Sequence, residues 1–298
     1  MTDNKSDPVT LSVILVTHNS RAALQKSAGA LLGELCALPA DCLWEIALVD
    51  NASSDDSIAE ITGRYQNAHV IRLKTNTGFA AACNRAASEV TGRFLLFLNP
   101  DVTLDPGAIE VLLREIRLRP RAGAVVGRMR NPDGSFQATC RHFPTRTNIF
   151  ASRGSALAGV LARRRNPYTL TDSREVRVVP AAAATCMLAL RDVFLELGGF
   201  DERFFMFMED TDFCLRLHEK GYFVYFAPGA GGAHDWGKGS GGAGASAAER
   251  LRRHHQSVLR YFRKHDPGFW AWVILPILLS VNRALRMITL AVRAKGRP

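Results

Sequence analysis

Short, unbroken apolar runs alternate with longer amphipathic stretches through the first half of the chain. LSVILVT (11–17), WEIALVD (44–50), HVIRL (69–73), FLLFLN (94–99) and GAVVGR (123–128) read as strands. Their continuous hydrophobicity suits parallel strands covered on both faces. Between them the pattern predicts helices over 22–38, 54–64 and 79–90. A further helix is expected to run from Asp105-Pro106 to Arg119, with the aspartate as cap and the proline in the first helical position. This alternation is that of βαβ units, so the expected fold class is α/β, with a Rossmann-like, mostly parallel central sheet flanked by helices.

The alternation fails after residue 128. NPDGS (131–135) is a turn, and 145–175, including Arg163-Arg164-Arg165, has no clear period. VVPAAAATCMLAL (178–190) predicts one long buried strand, RDVFLELGGF (191–200) a short helix stopped by Gly198-Gly199, and 210–221 another helix, followed by a strand at YFVYF (222–226). GAGGAHDWGKGSGGAGAS (229–246) is glycine-rich enough to predict a mobile loop.

At the C-terminal end FWAWVILPILLSV (269–281) is shorter than the roughly 20 residues a spanning helix needs, and Pro276 interrupts it. Downstream, Val281, Leu285, Ile288 and Val292 share one helical face and Asn282, Arg286 and Arg293 another, with Trp270 and Trp272 suited to headgroup depth. The expected division is therefore a body over 1–248 and a basic, amphipathic, membrane-associating helical tail over 249–298. Packing of that tail on the body or on a homodimer partner is the alternative.

Charge sharpens this division. Lys and Arg number 38 against 28 Asp and Glu, and residues 250–298 hold 11 of the former but only 1 of the latter. The body is thus balanced and the excess lies in the tail, which points to an anionic membrane surface, the inner leaflet, rather than to nucleic acid. The six cysteines are scattered without a C-x-x-C pair, and the polar start MTDNKSDPVT has no secretory apolar stretch. A reduced, cytoplasmic setting is expected, with the protein peripheral to the membrane.

The candidate chemistry sits where strands end. The first strand ends in Thr17-His18-Asn19, the second in Asp50-Asn51, the fourth in Asn99-Pro100-Asp101. Ligands of open α/β sheets bind beyond the carboxyl ends of the strands. Taken singly, each of these residues is equally a turn or cap residue. No G-x-G-x-x-G follows the first strand and no P-loop occurs, so a bound diphosphate needs another counter-charge. Asp101, aimed by the stiff Pro100, suits a hard divalent cation. Glu209, Asp210 and Asp212 lie in an otherwise apolar and aromatic stretch, so at least one should be desolvated with its pKa raised, as a general base requires. The competing role is helix capping by Asp210 with Asp212 in the first turn. His234, beside Asp235 and Trp236, is either solvated or a metal ligand brought down by a closing loop.

The motifs VDNASSDDS (49–57), NTGFAAACN (76–84), LNPDV (98–102) and GGFDERFFMFMEDTDFCLRL (198–217), followed by His234, resemble in order and register those of the family 2 inverting glycosyltransferases of GT-A fold. Within that family they resemble the rhamnosyltransferase branch, and the likeness covers roughly residues 10–236. The resemblance implies that Thr17, Asn19 and Asp50 hold the base and ribose of a dTDP- or UDP-sugar, and that Asn76, Gly78 and Asn84 line its pocket. It implies that Asp101 and His234 bind Mg²⁺ or Mn²⁺, that Asp210 is the catalytic base, and that Glu209 orients it or binds the acceptor. Asn99 replaces the first acid of the family's D-x-D, leaving the metal site one charge fewer. The implied reaction is inverting transfer of a sugar, L-rhamnose from dTDP-rhamnose, onto a lipid-linked or polysaccharide acceptor. A nucleotidyltransferase on the same sheet and a non-enzymatic RNA- or membrane-binding protein are the alternatives.

Overall fold

The computed structural model describes residues 10–65, 68–152, 155, 168–235 and 246–295. Its centre is a nine-stranded sheet in the order β3-β2-β1-β4-β10-β6-β11-β5, with β8 added to β11. The strands are β1 (Leu11–Thr17), β2 (Trp44–Asp50), β3 (His69–Arg72), β4 (Phe94–Leu98), β5 (Val102–Leu104), β6 (Ala122–Arg130), β8 (Arg177–Val179), β10 (Cys186–Leu190) and β11 (Phe223–His234). β3, β2, β1 and β4 run parallel, β10 is inserted antiparallel between β4 and β6, and β11 runs parallel to β6. A two-stranded ribbon of β7 (Cys140–Arg141) and β9 (Ala181–Ala182) stands apart.

The unbroken apolar runs are explained by helices on both faces. Along β4, Leu95 and Phe97 point into one core with Val16, Val49, Phe194, Phe200 and Phe213, while Phe94, Leu96 and Leu98 point into the other with Leu24, Leu31, Ile109 and Leu112. Side chains alternate across a strand, so each strand feeds both cores. The helices are α1 (Arg21–Cys36), α2 (Ser57–Thr62), α3 (Phe79–Glu89), α4 (Ala108–Leu118), α5 (Arg191–Glu196) and α6 (Glu209–Glu219), followed in the C-terminal segment by α7 (Ala247–His265) and α8 (Leu275–Lys295).

Several expectations change. The helix expected from Asp105-Pro106 begins instead at Ala108, after Gly107 at φ 81°: the Asp105 carboxylate forms a two-point ion pair with Arg130 (Nη2–Oδ1 2.6 Å), and Glu34 takes its place, accepting from Gly107 N (2.8 Å) and Ile109 N (3.1 Å). The single strand expected over 178–190 is three pieces, β8, β9 and β10, in different pairings. Pro180, which has no N–H for a ladder, separates the first two, and a run of alanines signals burial without specifying direction. The glycine-rich segment is strand as far as His234; a Cβ on Gly231 would lie 2.2 Å from the Asp105 carboxylate, so small residues here permit close approach to β5. Trp236 and the rest of that segment to residue 245, like Arg163-Arg164-Arg165, lie outside the described residues.

The C-terminal helices pack on the body. Val258, Tyr261 and Phe262 of α7 and Leu275 and Leu279 of α8 share a third core with Phe204 and Met208. Pro276 does not interrupt the apolar stretch: a π-helical turn, Trp270–Ile274, runs directly into α8, and the helix continues through the proline. Among the described residues one helical segment, 270–288, is therefore long and apolar enough to cross a membrane.

Candidate active site

Register places the strand ends at one edge of the sheet. Thr17 pairs with Asp50 across β1 and β2, and Leu15 pairs with both Leu48 and Leu98, so Asn99-Pro100-Asp101 emerges beside them. Thr17 is buried and donates to Val49 O (3.1 Å), and Asp50 Oδ1 accepts from Ser53 N (2.9 Å). Asn19, at φ 53°, accepts from Ser54 N (2.7 Å). Asn51, which follows Asp50 at the end of the second strand, joins this edge to the next turn: its Nδ2 donates to Gly78 O (3.1 Å) and its Oδ1 accepts from Thr77 N (2.8 Å). Asn76 Oδ1 accepts from Gly78 N (3.0 Å). Gly78 has φ 87°, and a Cβ there would lie 2.2 Å from Phe205 O, so only glycine lets the 205 loop seat against this turn. Asn84 braces the loop before the acids, accepting from Phe200 N (2.9 Å) and donating to Phe200 O (2.7 Å) and Glu202 (3.0 Å).

Asp101 and His234 meet at the same edge. β11 pairs His234 with Val102, and Asp235 N donates to Asp101 O (3.0 Å). His234 Nε2 lies 3.3 Å from Asp101 Oδ1, with both side chains at most 3% exposed. No group of three or more His, Cys, Asp or Glu ligands occurs among the described residues. A carboxylate and an imidazole nitrogen nonetheless form a fitting donor set for Mg²⁺ or Mn²⁺, which keep several positions for phosphate oxygens and water. The histidine is held by strand pairing rather than by a closing loop.

The acids open α6. Glu209, Asp210 and Asp212 all fall in its first turn, and the preceding cap is Met208 in the left-handed region (φ 70°), not Asp210. The backbone joins them to the edge: Ala184 N donates to Asp210 Oδ2 (3.4 Å), two residues before Cys186 pairs with Leu98. Asp210 is buried, accepts from Thr211 N (2.6 Å) and forms an ion pair with Arg141 Nη2 (2.6 Å). Burial opposes the Arg141 charge, and Asp210 outweighs it, holding the guanidinium above its ordinary pKa. The acid pushed well above the carboxyl range is Glu209, by burial and then by the adjacent Asp210. Asp212, fully buried, serves a different end. It receives Arg216 (2.8 Å), Lys264 (2.5 Å) and His265 (2.7 Å), linking α6 to the C-terminal helix α7. Arg141 is the main residue missed from the sequence, where its only signal is a lone arginine in the ATCRHF stretch.

The glycosyl transferase family 2 model matches residues 12–198. The chain belongs to this family. Its relatives include the N-acetylglucosaminyl-diphospho-decaprenol L-rhamnosyltransferase of Mycobacterium tuberculosis, 30% identical over 277 residues, covering 87% of this chain and 86% of the relative. Rhamnosyltransferase WbbL of Escherichia coli is 26% identical over 136 residues, 45% of this chain and 49% of its own. The resemblance to the rhamnosyltransferase branch therefore holds for this family 2 glycosyltransferase. Among solved structures, a mannosyltransferase from Pyrobaculum calidifontis in complex with GDP-Man and Mn²⁺ aligns with TM-score 0.59 at 16% identity, over 99% of this chain and 77% of its own. GalNAc-T7 with UDP, GalNAc and Mn²⁺ aligns with TM-score 0.57 at 18% identity, over 85% and 48% respectively. The fold of the glycosyltransferase is thus GT-A.

Proposed function

We propose that this glycosyltransferase moves L-rhamnose from dTDP-L-rhamnose, with inversion, onto a saccharide carried on a lipid diphosphate. The observation that carries the reading is a buried, arginine-paired aspartate, Asp210, linked through Ala184 to the strand edge that also presents Asp101 and His234. The likeness to a rhamnosyltransferase over 87% of the chain supports the sugar and the acceptor class. Thr17, Asn19 and Asp50 bind the nucleoside, with Asp50 accepting from the ring N–H of thymine, and Asn76, Gly78 and Asn84 shape the pocket. Asp101 and His234 would hold Mg²⁺ or Mn²⁺, which supplies positive charge against the diphosphate leaving group. Arg141 compensates the buried Asp210 charge, and the Asp210 carboxylate takes the proton of the attacking hydroxyl. Glu209, neutral over a wider pH range than an ordinary carboxyl, can donate a hydrogen bond to the acceptor. A single displacement on the face opposite the leaving group inverts the anomeric centre.

The tail reading belongs to the same proposal. Trp272, in the turn before α8, and Ile277, Val281, Leu285 and Ile288 on α8 are exposed, whereas Ala271 of that turn and Leu275, Leu279 and Asn282 of α8 face the protein. Asn282 Nδ2 lies 2.9 Å from His255 Nε2 of α7. A helix with one face committed to a polar, arginine-bearing neighbour suits the interface of the cytoplasmic leaflet better than a crossing.

The test is a donor screen of dTDP-L-rhamnose and UDP-sugars with Mg²⁺ or Mn²⁺, using a short-chain N-acetylglucosaminyl-diphospho-lipid as acceptor and reading nucleoside diphosphate release. Release should require dTDP-L-rhamnose, and Asp101→Ala and Asp210→Asn should each lower it by about 10²–10⁴-fold. Near-normal release from both variants would overturn the mechanism, and preference for a UDP-sugar would replace the donor.

A further inference from the structure

We infer that Gln137, with the NPDGS turn that precedes it, fixes His234 as the Nδ1–H tautomer, so that its Nε2 lone pair faces Asp101 and is available to a divalent cation. The inference rests on the cation reading of this pair, and concerns residues that reading does not use. Gln137 is 2% exposed and lies against the side of the imidazole away from Asp101. Its Oε1 is 2.5 Å from His234 Nδ1, and its Nε2 is 2.8 Å from Asn131 Oδ1 and 3.2 Å from His234 O.

An amide and an imidazole can each be turned around, so the contact by itself leaves the proton unassigned. A one-way series of hydrogen bonds settles it. An ionised Asp133 carboxylate only accepts, and Ser135 donates its hydroxyl proton to Asp133 Oδ1 (2.6 Å). The Ser135 oxygen is then the acceptor for Asn131 Nδ2 (2.9 Å), which leaves Asn131 Oδ1 facing Gln137. Gln137 must present its NH₂ to that oxygen and to the His234 carbonyl, and its own oxygen to Nδ1. Turning the Gln137 amide would set its oxygen against two other acceptors, leaving buried polar groups unsatisfied at about 1–3 kcal/mol each. Nδ1 therefore carries the proton.

The consequence lies on the other side of the ring. Nε2 presents a lone pair to Asp101 Oδ1 at 3.3 Å. Two acceptors at that distance are reconciled by a positive centre between them, a proton when the ring is cationic or a metal ion when it is neutral. The opposite tautomer would aim an N–H at the cation position. A ligating histidine with its other N–H held by a neighbour is the usual device for orienting the ring and raising its basicity. Here the holder is an amide just past the turn that follows β6, positioned by Gln137 N donating to Met129 O (3.0 Å).

The test combines a tautomer measurement with metal affinity on the full chain. Long-range ¹⁵N NMR, with His234 assigned by comparison with His234→Gln, should show Nδ1 protonated with and without metal, and Nε2 without a proton once Mg²⁺ and dTDP are bound. Mn²⁺ titration followed by electron paramagnetic resonance, in the presence of dTDP, should show Gln137→Leu losing about 10–100-fold in affinity. A bare Nδ1 in the unsubstituted protein, or Gln137→Leu binding Mn²⁺ like it, would overturn the inference. If Gln137→Leu does not fold, as judged by its melting curve, the tautomer alone decides. Failure of the unsubstituted protein to bind Mn²⁺ with dTDP would instead remove the cation reading itself, and the two failures are thereby distinguishable.

Discussion

Glu209 and Asp210 are adjacent acids with opposite surroundings. Asp210 has Arg141 at 2.6 Å, whereas Glu209 is buried beside a like charge. Because the folded protein raises the Glu209 pKa above its ordinary 4.5, its contribution to stability is present below that pH and is lost as pH rises through the folded value. Glu209→Gln, which mimics the neutral form at every pH, should therefore melt progressively higher than the unsubstituted protein as pH is raised from about 4.5 to neutrality. Equal melting temperatures at pH 4.5 and 7.5 would contradict this. The two acids are legible in the sequence because charges inside FFMFMEDTDFCLR violate its apolar pattern. Arg141 is not, since its segment has no period and its partner comes from a distant helix. Nor does an amide such as Gln137 carry any sequence mark, because its meaning depends on which atoms it faces.

Helix α6 does two jobs with one turn, presenting Asp210 to the strand edge and Asp212 to α7. Burial opposes the Asp212 charge, but its hydrogen bonds from His265 and Lys264, with the Arg216 charge, hold the carboxyl below its ordinary 3.8. Its contribution is thus present above that value and lost as pH falls through the folded pKa. Asp212→Asn would leave Arg216 without its carboxylate and Lys264 with Asp201 alone (2.8 Å), and we expect a loss of about 3–5 kcal/mol, measured by chemical denaturation at pH 7. The same variant should loosen α7, so limited proteolysis should cut first between Ser246 and His265. The first βαβ units were readable because helix and strand periods differ and each strand feeds two cores. The antiparallel β10 and the split of 178–190 were not, because pairing partners are chosen by distant strands.

Taken together, the chain is a GT-A body with an outward apolar stripe along its last helix. Flotation with phosphatidylglycerol-containing vesicles should carry the protein up, and high salt should weaken the association as its arginines are screened. Ile277→Asp with Val281→Asp should lower vesicle affinity by at least about tenfold, since each apolar side chain contributes roughly 1.5–3 kcal/mol when buried in lipid. Unchanged flotation would assign the stripe to another partner. From one chain alone, periodicity gives the α/β class, charge marks the C-terminal segment as basic, and polar residues terminating apolar runs mark the candidate site edge, because each of these is a local property of consecutive residues. Which acid gains a proton, which arginine meets it, that His234 sits in a strand, and that the tail docks through Asp212 were set by folding. Those properties depend on burial and on distances between residues far apart along the chain, and no local pattern encodes them.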